Sequence, residues 1–118
     1  MKNQILARTK NFAIDCWRFC KEVPNTREYN AYVNQLIRSS SSVGANYRAT
    51  QRAKSTADFI NKLKIVEEEL DESVFWLEMF EEVLPIKKQE ISKLKKEGLE
   101  LLAIIVASIN TSRKNQNK

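Results

Sequence analysis

Histidine is absent from this chain of 118 residues, and glycine, proline and cysteine occur only twice each. Without histidine there is no Ser-His-Asp or Cys-His nucleophile pair, no imidazole ligand for zinc and no Glu-x-x-His di-iron motif. The few glycines and prolines argue against a multi-stranded sheet, because tight turns between antiparallel strands depend on these residues. The composition therefore predicts one helical domain over residues 1–118. Without histidine, and with no concentrated set of carboxylates, we expect no enzymatic activity, metal or cofactor.

Long apolar runs are also missing from the sequence. No stretch approaches the roughly 20 apolar residues of a membrane span, and the charged N-terminus does not resemble a signal peptide. We therefore expect a cytoplasmic protein that does not contact membranes. Cys16 and Cys20 are four residues apart, so they share one face of a helix, and a metal site there would need two more ligands from carboxylates or from other chains. They are expected to fill the core as free thiols in a reducing compartment.

Four runs of apolar residues recur at helical spacing, with breakers between them. The first run ends before Pro24, the third opens on a capping box from Ser55 to Asp58, and it ends before Pro85. The predicted helices cover about 3–22, 27–54, 55–84 and 89–112, and residues 113–118 are expected to form a frayed polar tail. Short connections favour antiparallel neighbours, so the expected fold is an all-α, up-down-up-down four-helix bundle.

The second helix contains the least ordinary segment, QLIRSSSSVGANYRAT. Four serines and a glycine are poor helix formers. Leu36, Val43 and Tyr47 nevertheless keep the helical period across the segment, which predicts that the helix is continuous. Small residues such as Ser39 and Gly44 beside this apolar face would let another helix approach closely. The alternative is a flexible linker that divides the helix.

This segment, together with the DFINKLKIVEEELDESVFWLEMF that follows, resembles the bacterial 23S ribosomal RNA intervening-sequence proteins. Two positions depart from the family pattern, Tyr47 and Ala49, where the family usually has Ile and Glu. The resemblance implies a pentameric ring of four-helix bundles with no established enzymatic activity. The matching residues are Gln35, Leu36, Arg38, Ser39, Ser42, Gly44, Asn46, Ser55, Asp58, Phe59, Trp76 and Leu77.

Charge is distributed unevenly along the chain. The first 64 residues hold 12 basic and 4 acidic side chains, whereas the remainder hold 8 basic and 11 acidic ones. The carboxylates of the third helix spread over a wide arc, and no subset converges as a metal site would require. We expect them to pair with basic residues of neighbouring helices.

Arginines on the second helix form the basic part of this pattern. Arg38, Arg48 and Arg52 fall within an arc of about 80° on the helical wheel, and guanidinium groups suit phosphate oxygens. Lys54 and Lys62 continue the positive charge. These five residues are the predicted contacts to RNA or DNA. The alternative is a solvated or ion-paired face, with Arg38 in particular paired to an acidic residue of the third helix.

The C-terminal half of the third helix is apolar on nearly every side. Phe75, Trp76, Met79 and Phe80 lie outside its narrow leucine face. One neighbouring groove cannot cover all four, and large exposed apolar patches mark interfaces. These residues therefore predict the interface of a homo-oligomer.

Together these features predict a non-enzymatic oligomeric scaffold that binds RNA or other nucleic acid through the second helix. The alternative is a protein–protein interaction or adaptor module, for example an accessory to a nucleic-acid-processing enzyme, that does not contact nucleic acid directly.

Overall fold

A computed structural model describes residues 2–116 and contains four long helices. They are α1 (Lys2–Lys21), α2 (Arg27–Thr50), α3 (Thr56–Val83) and α4 (Lys88–Gln116), with a short 3-10 turn at Pro85–Lys87 before α4. Successive helices are antiparallel and form an elongated bundle of 51 × 21 × 20 Å. No strand occurs in residues 2–116. The predicted all-α four-helix bundle is therefore confirmed.

Side-chain caps fix the starts of α2 and α3. The Thr26 hydroxyl accepts a hydrogen bond from the Tyr29 N–H (3.1 Å), and the Ser55 hydroxyl accepts one from the Asp58 N–H (3.1 Å). The Asp58 carboxylate accepts from the Lys54 N–H (3.0 Å), one residue before the position expected in a capping box. Each such cap stabilises a helix by about 1 kcal/mol.

Two helix ends differ from the sequence-based expectation. α2 ends at Thr50 and not near Lys54, because the next three N–H groups bond to carbonyls three residues back, which tightens the chain into a turn. At the other end of the chain, α4 continues to Gln116, four residues into the segment that the sequence predicted as a frayed polar tail. Arg113 and Lys114 lie in this last turn, where cations are favourable next to the helix dipole. Residues 117–118 lie outside the described range.

The serine-rich segment is helical throughout, as the apolar period predicted. Ser39 and Ser40 are fully buried, and their hydroxyls donate to the carbonyls of the preceding turn. Gly44 brings α2 close to α1, because a Cβ there would lie 3.4 Å from the Thr9 carbonyl oxygen and 3.6 Å from the Lys10 Cα. Small residues therefore set the spacing between helices here.

The core runs along the bundle axis and contains both cysteines. Cys16 is fully buried and Cys20 is 7% exposed, so both fill the interior as expected. Burial raises the pKa of both thiols, that of Cys20 to about 12. The largest side chains of the core are Phe12, Phe80, Leu36, Leu63, Leu70, Leu77, Ile91, Leu101 and Ile105.

Candidate nucleic-acid interface

Two arginines of the α1–α2 hairpin form ion pairs with glutamates of α3 and α4. Arg8 on α1 pairs with Glu97 of α4 (Nε to Oε2, 2.9 Å) and with Glu100. Arg38 on α2 pairs with Glu69 of α3 (3.1 Å) and with Glu72. These ion pairs raise the pKa of both guanidinium groups. The positive charge of Arg8 and Arg38 is therefore balanced within the bundle.

Arg38 belongs to a small network between α2 and α3. The indole N–H of Trp76 donates to the same Glu72 carboxylate (3.1 Å). Hydrogen bonds from Arg38 and Trp76 hold the pKa of Glu72 below its ordinary value of 4.5. The ion pair anticipated as the alternative role of Arg38 is present in the structure. A phosphate would have to displace two carboxylates here, so we leave Arg38 out of the candidate interface.

Lys62 is also occupied by an intrahelical partner. Its ammonium lies 2.8 Å from both carboxylate oxygens of Asp58, one turn earlier on α3. Hydrogen bonds from Lys62 and from the Lys54 N–H lower the pKa of Asp58. Lys54 lies in the α2–α3 connection with an exposed side chain. Of these two predicted contacts, only Lys54 has an ammonium without an ion-pair partner among the described side chains.

Arg48 and Arg52 lie together at a groove of about 640 Å³ between α1 and α2. Lys10 of α1 lines the same groove, and all three cations are exposed. None of them forms an ion pair with a side chain in the described part of the chain. The remaining lining is small, apolar or uncharged, and consists of Leu6, Ala13, Ile14, Ser41, Gly44, Ala45 and Gln51. We call this feature the α1–α2 groove.

Lys10 was not among the residues predicted from the basic face of the second helix. Its place in the groove follows from the α1–α2 packing, in which a Cβ at Gly44 would lie 3.6 Å from the Lys10 Cα. Counting residues symmetrically about Pro24 would instead set Lys10 opposite Arg38, so the sequence did not display this register. The three arginines predicted to form one row lie on two different surfaces of the bundle. Arg38 faces α3, whereas Arg48 and Arg52 line the groove facing α1.

The predicted apolar interface is only partly at the surface. Phe80 is fully buried, and its ring packs against Phe19 (centroids 5.3 Å) and Tyr32 (5.9 Å), so its assignment to an oligomer interface is wrong. Trp76 and Met79 are partly buried, and Trp76 packs against Tyr32 at 5.3 Å.

Phe75 remains 48% exposed on the outside of α3, with its ring 5.0 Å from that of Trp76. Val83 is exposed two turns further along the same helix. We call Phe75, Trp76, Met79 and Val83 the α3 apolar patch. The homo-oligomer itself stays a prediction.

Neither a metal centre nor a membrane span is found in the described residues. Within residues 2–116, no three Cys, Asp or Glu side chains form a group that could hold a metal ion. None of the helices in this range combines the length and the apolar character needed to cross a membrane.

The fold and the groove define a small four-helix-bundle protein in which Lys10, Arg48 and Arg52 line one groove without ion-pair partners in residues 2–116. The chain belongs to the 23S rRNA-intervening sequence protein family, whose model matches residues 1–107. It is similar to a crystal structure of a protein with unknown function from the S23 ribosomal protein family of Bacteroides thetaiotaomicron VPI-5482, with a TM-score of 0.85 and 30% identity. That match covers 93% of this chain and 99% of the other. The comparison with curated proteins finds no match. The resemblance proposed from the helix-two motif is therefore confirmed.

Proposed function

We propose that this protein is a non-enzymatic, oligomeric scaffold that binds RNA or DNA through the α1–α2 groove. The observation that supports this function is the set of three unpaired cations, Lys10, Arg48 and Arg52, around one groove. Elsewhere on the hairpin, Arg8 and Arg38 are paired with carboxylates. The family name refers to 23S rRNA, which makes RNA the first ligand to test.

The arginines and the lysine of this groove would contact phosphate in different ways. The guanidinium forks of Arg48 and Arg52 can each donate two hydrogen bonds to a phosphate, and Lys10 adds a point charge from the opposite wall. Such contacts position the backbone of a nucleic acid without reading its sequence. Affinity is therefore expected to depend weakly on sequence and steeply on salt.

We include self-association in the proposal because of the α3 apolar patch. Phe75, Met79 and Val83 recur every four residues on the outside of α3, where the single chain leaves Phe75 and Val83 in water. Burial against another copy would remove this surface from solvent. In a ring, several grooves would act on one nucleic acid, so weak individual contacts would combine into tight binding.

The groove has the lining of a binding surface, and we propose no catalytic role for it. Its polar side chains are the three cations, Ser41 and Gln51, with no carboxylate to act as a general base. The α3 apolar patch favours a second candidate, an adaptor that recruits a protein partner. That function predicts no direct affinity for nucleic acid.

Charge reversal in the groove tests the proposal. We expect the double variant Arg48→Glu/Arg52→Glu to weaken binding of labelled RNA and DNA oligonucleotides alike in fluorescence anisotropy. Each lost phosphate contact should lower the slope of log affinity against log salt by about 1.

A matched control carries the same change in charge on another face. Lys93 and Lys96 are exposed on α4 and form no ion pair within residues 2–116. Lys93→Glu/Lys96→Glu should reduce affinity far less than the groove variant. Equal losses in both variants would mean that net charge alone drives binding, and no binding by the wild type at low salt would favour the adaptor.

A further inference from the structure

An exposed tryptophan extends the groove along α1. Trp17 is 51% exposed, although it lies between the core residues Cys16 and Phe19. At 100° per residue, Lys10, Ile14, Trp17 and Lys21 fall within an arc of about 60° on α1. Trp17 is therefore on the groove-lining face, about 10 Å beyond Lys10 along the helix axis.

A cation lies over the indole of Trp17 at the surface. The Lys21 ammonium lies over the ring, 5.2 Å from its centroid, within the range of a cation–π interaction. This contact restrains the ring and places a further positive charge beside it. The result is a flat aromatic surface next to a lysine, in line with the cations of the groove.

Acidic side chains are kept away from this face. No acidic residue occurs between Tyr29 and Ala57, a span that includes the whole α2 side of the groove. On α1, Asp15 and Glu22 lie more than about 100° round the helix from Lys10 and Trp17. Both line a separate depression against α4. A polyanion on the Trp17 face would therefore meet cations and an aromatic ring without a facing carboxylate.

We propose that Trp17 stacks on a base of a single-stranded nucleic acid whose phosphates contact Lys10, Arg48 and Arg52. This inference rests on the proposed function and names the form of nucleic acid that the groove prefers. Every base has a π-face, so stacking is compatible with sequence-independent binding. In a duplex the bases are already stacked inside the helix, and an exposed indole has nothing to stack on.

The test compares a single-stranded uridine oligonucleotide with an RNA duplex of the same length. Wild-type protein should bind the single strand more tightly. Trp17→Ala should weaken that binding by roughly fivefold to a hundredfold, the range of one base–aromatic stack, and leave duplex binding unchanged. Trp17→Phe should restore most of the affinity, and the salt slope should not change because no charge is lost. Leu99→Ala removes a similarly exposed large apolar side chain from α4, outside the groove and the α3 apolar patch, and serves as the control.

Fluorescence gives a second measurement of the same contact. The chain has two tryptophans, so Trp76→Phe leaves Trp17 as the sole indole. Binding of the uridine oligonucleotide should quench its emission, and the duplex should not.

Three results would overturn the stacking role, and they can be told apart. If Trp17→Ala binds the single strand like wild type while the Arg48/Arg52 reversal still abolishes binding, stacking is wrong and the proposed function stands. If wild-type protein binds neither probe at low salt, both fail. If Trp17→Ala lowers the molar mass in light scattering, this face is an interface between copies of the chain.

Discussion

The side-chain oxygens of Ser39 and Ser73 lie 2.9 Å apart in the interior of the bundle and join α2 to α3 by one hydrogen bond. Both serines are fully buried, and the Ser73 oxygen also lies 2.8 Å from the Glu69 carbonyl. The pair marks a point where two helices approach closely. One residue before Ser39, Arg38 meets the carboxylates of Glu69 and Glu72, so the serine contact and the ion pairs fix the same register.

Ser73→Ala should cost about 1 kcal/mol of unfolding free energy, because the Ser39 hydroxyl retains the Leu36 carbonyl (3.3 Å) as a partner. Ser73→Leu should cost more, about 1–3 kcal/mol beyond the hydrogen bond, since its side chain must force α2 and α3 apart. Urea unfolding followed by circular dichroism measures both values. Equal stability of the two variants would contradict the close approach.

Stability is expected to fall in acid, partly through Glu72. Its pKa is lower in the folded state than in the unfolded chain, because Arg38 and Trp76 stabilise the ionised carboxylate. This stabilisation is fully present above the ordinary value of 4.5 and is lost as the pH falls through the folded-state pKa. We expect the urea concentration at the unfolding midpoint to decrease as the pH falls below 4.5 and through the folded-state pKa of Glu72.

Arg38→Met should flatten that acid dependence, because the pKa of Glu72 returns toward its ordinary value. The control is Arg18→Met, since Arg18 is exposed and lies 3.9 Å from its partner Asp15. It should leave the pH profile unchanged. Identical profiles for wild type and Arg38→Met would show that the ion pair has no effect on stability.

Both cysteines should be inert in the folded protein. Burial raises the pKa of the Cys16 thiol and that of Cys20, the latter to about 12, so the reactive thiolate is scarce at neutral pH. A thiol-specific reagent such as DTNB should label neither residue in native buffer and both in urea. Fast labelling of either thiol under native conditions would contradict its burial.

Self-association is predicted to depend on Phe75. Phe75→Glu should lower the molar mass measured by light scattering and retain the helical signal, because it places a charge in the contact between copies but leaves the core intact. Asn11→Glu adds a charge to an exposed position of α1 and should not change the mass. A monomeric wild type would contradict the prediction.

Phe80→Ala should behave differently from Phe75→Glu. Phe80 packs on Phe19 and Tyr32 in the core, so its removal should cost about 3–5 kcal/mol of stability. A lower molar mass in light scattering with an unchanged unfolding free energy would instead place Phe80 in the interface between copies.

Helical period and local capping were enough to predict the bundle. The Ser55 cap and the continuous helix through the serines follow from interactions within a few residues, which a sequence displays directly. Phe80 could not be placed in this way, because the wheel of α3 gives a direction about one axis and does not show that Phe19 and Tyr32 extend the core around it. For Arg38 an acidic partner on the third helix was expected only as the alternative to phosphate, because the wheel of α2 cannot choose between the two when the partners lie on a helix beginning 18 residues later in the chain.

The carboxylates concentrated on α3 give the molecule a permanent electric dipole. α1, α2 and α4 each hold more basic than acidic residues, whereas α3 holds far more acidic ones, across a body only 21 × 20 Å in cross-section. In the field of a polyanion, such a body turns its positive side forward before any contact forms. Encounters in a binding orientation are then more frequent than random collisions would allow. Added salt slows association, because it shortens the range over which the field of the polyanion orients the protein.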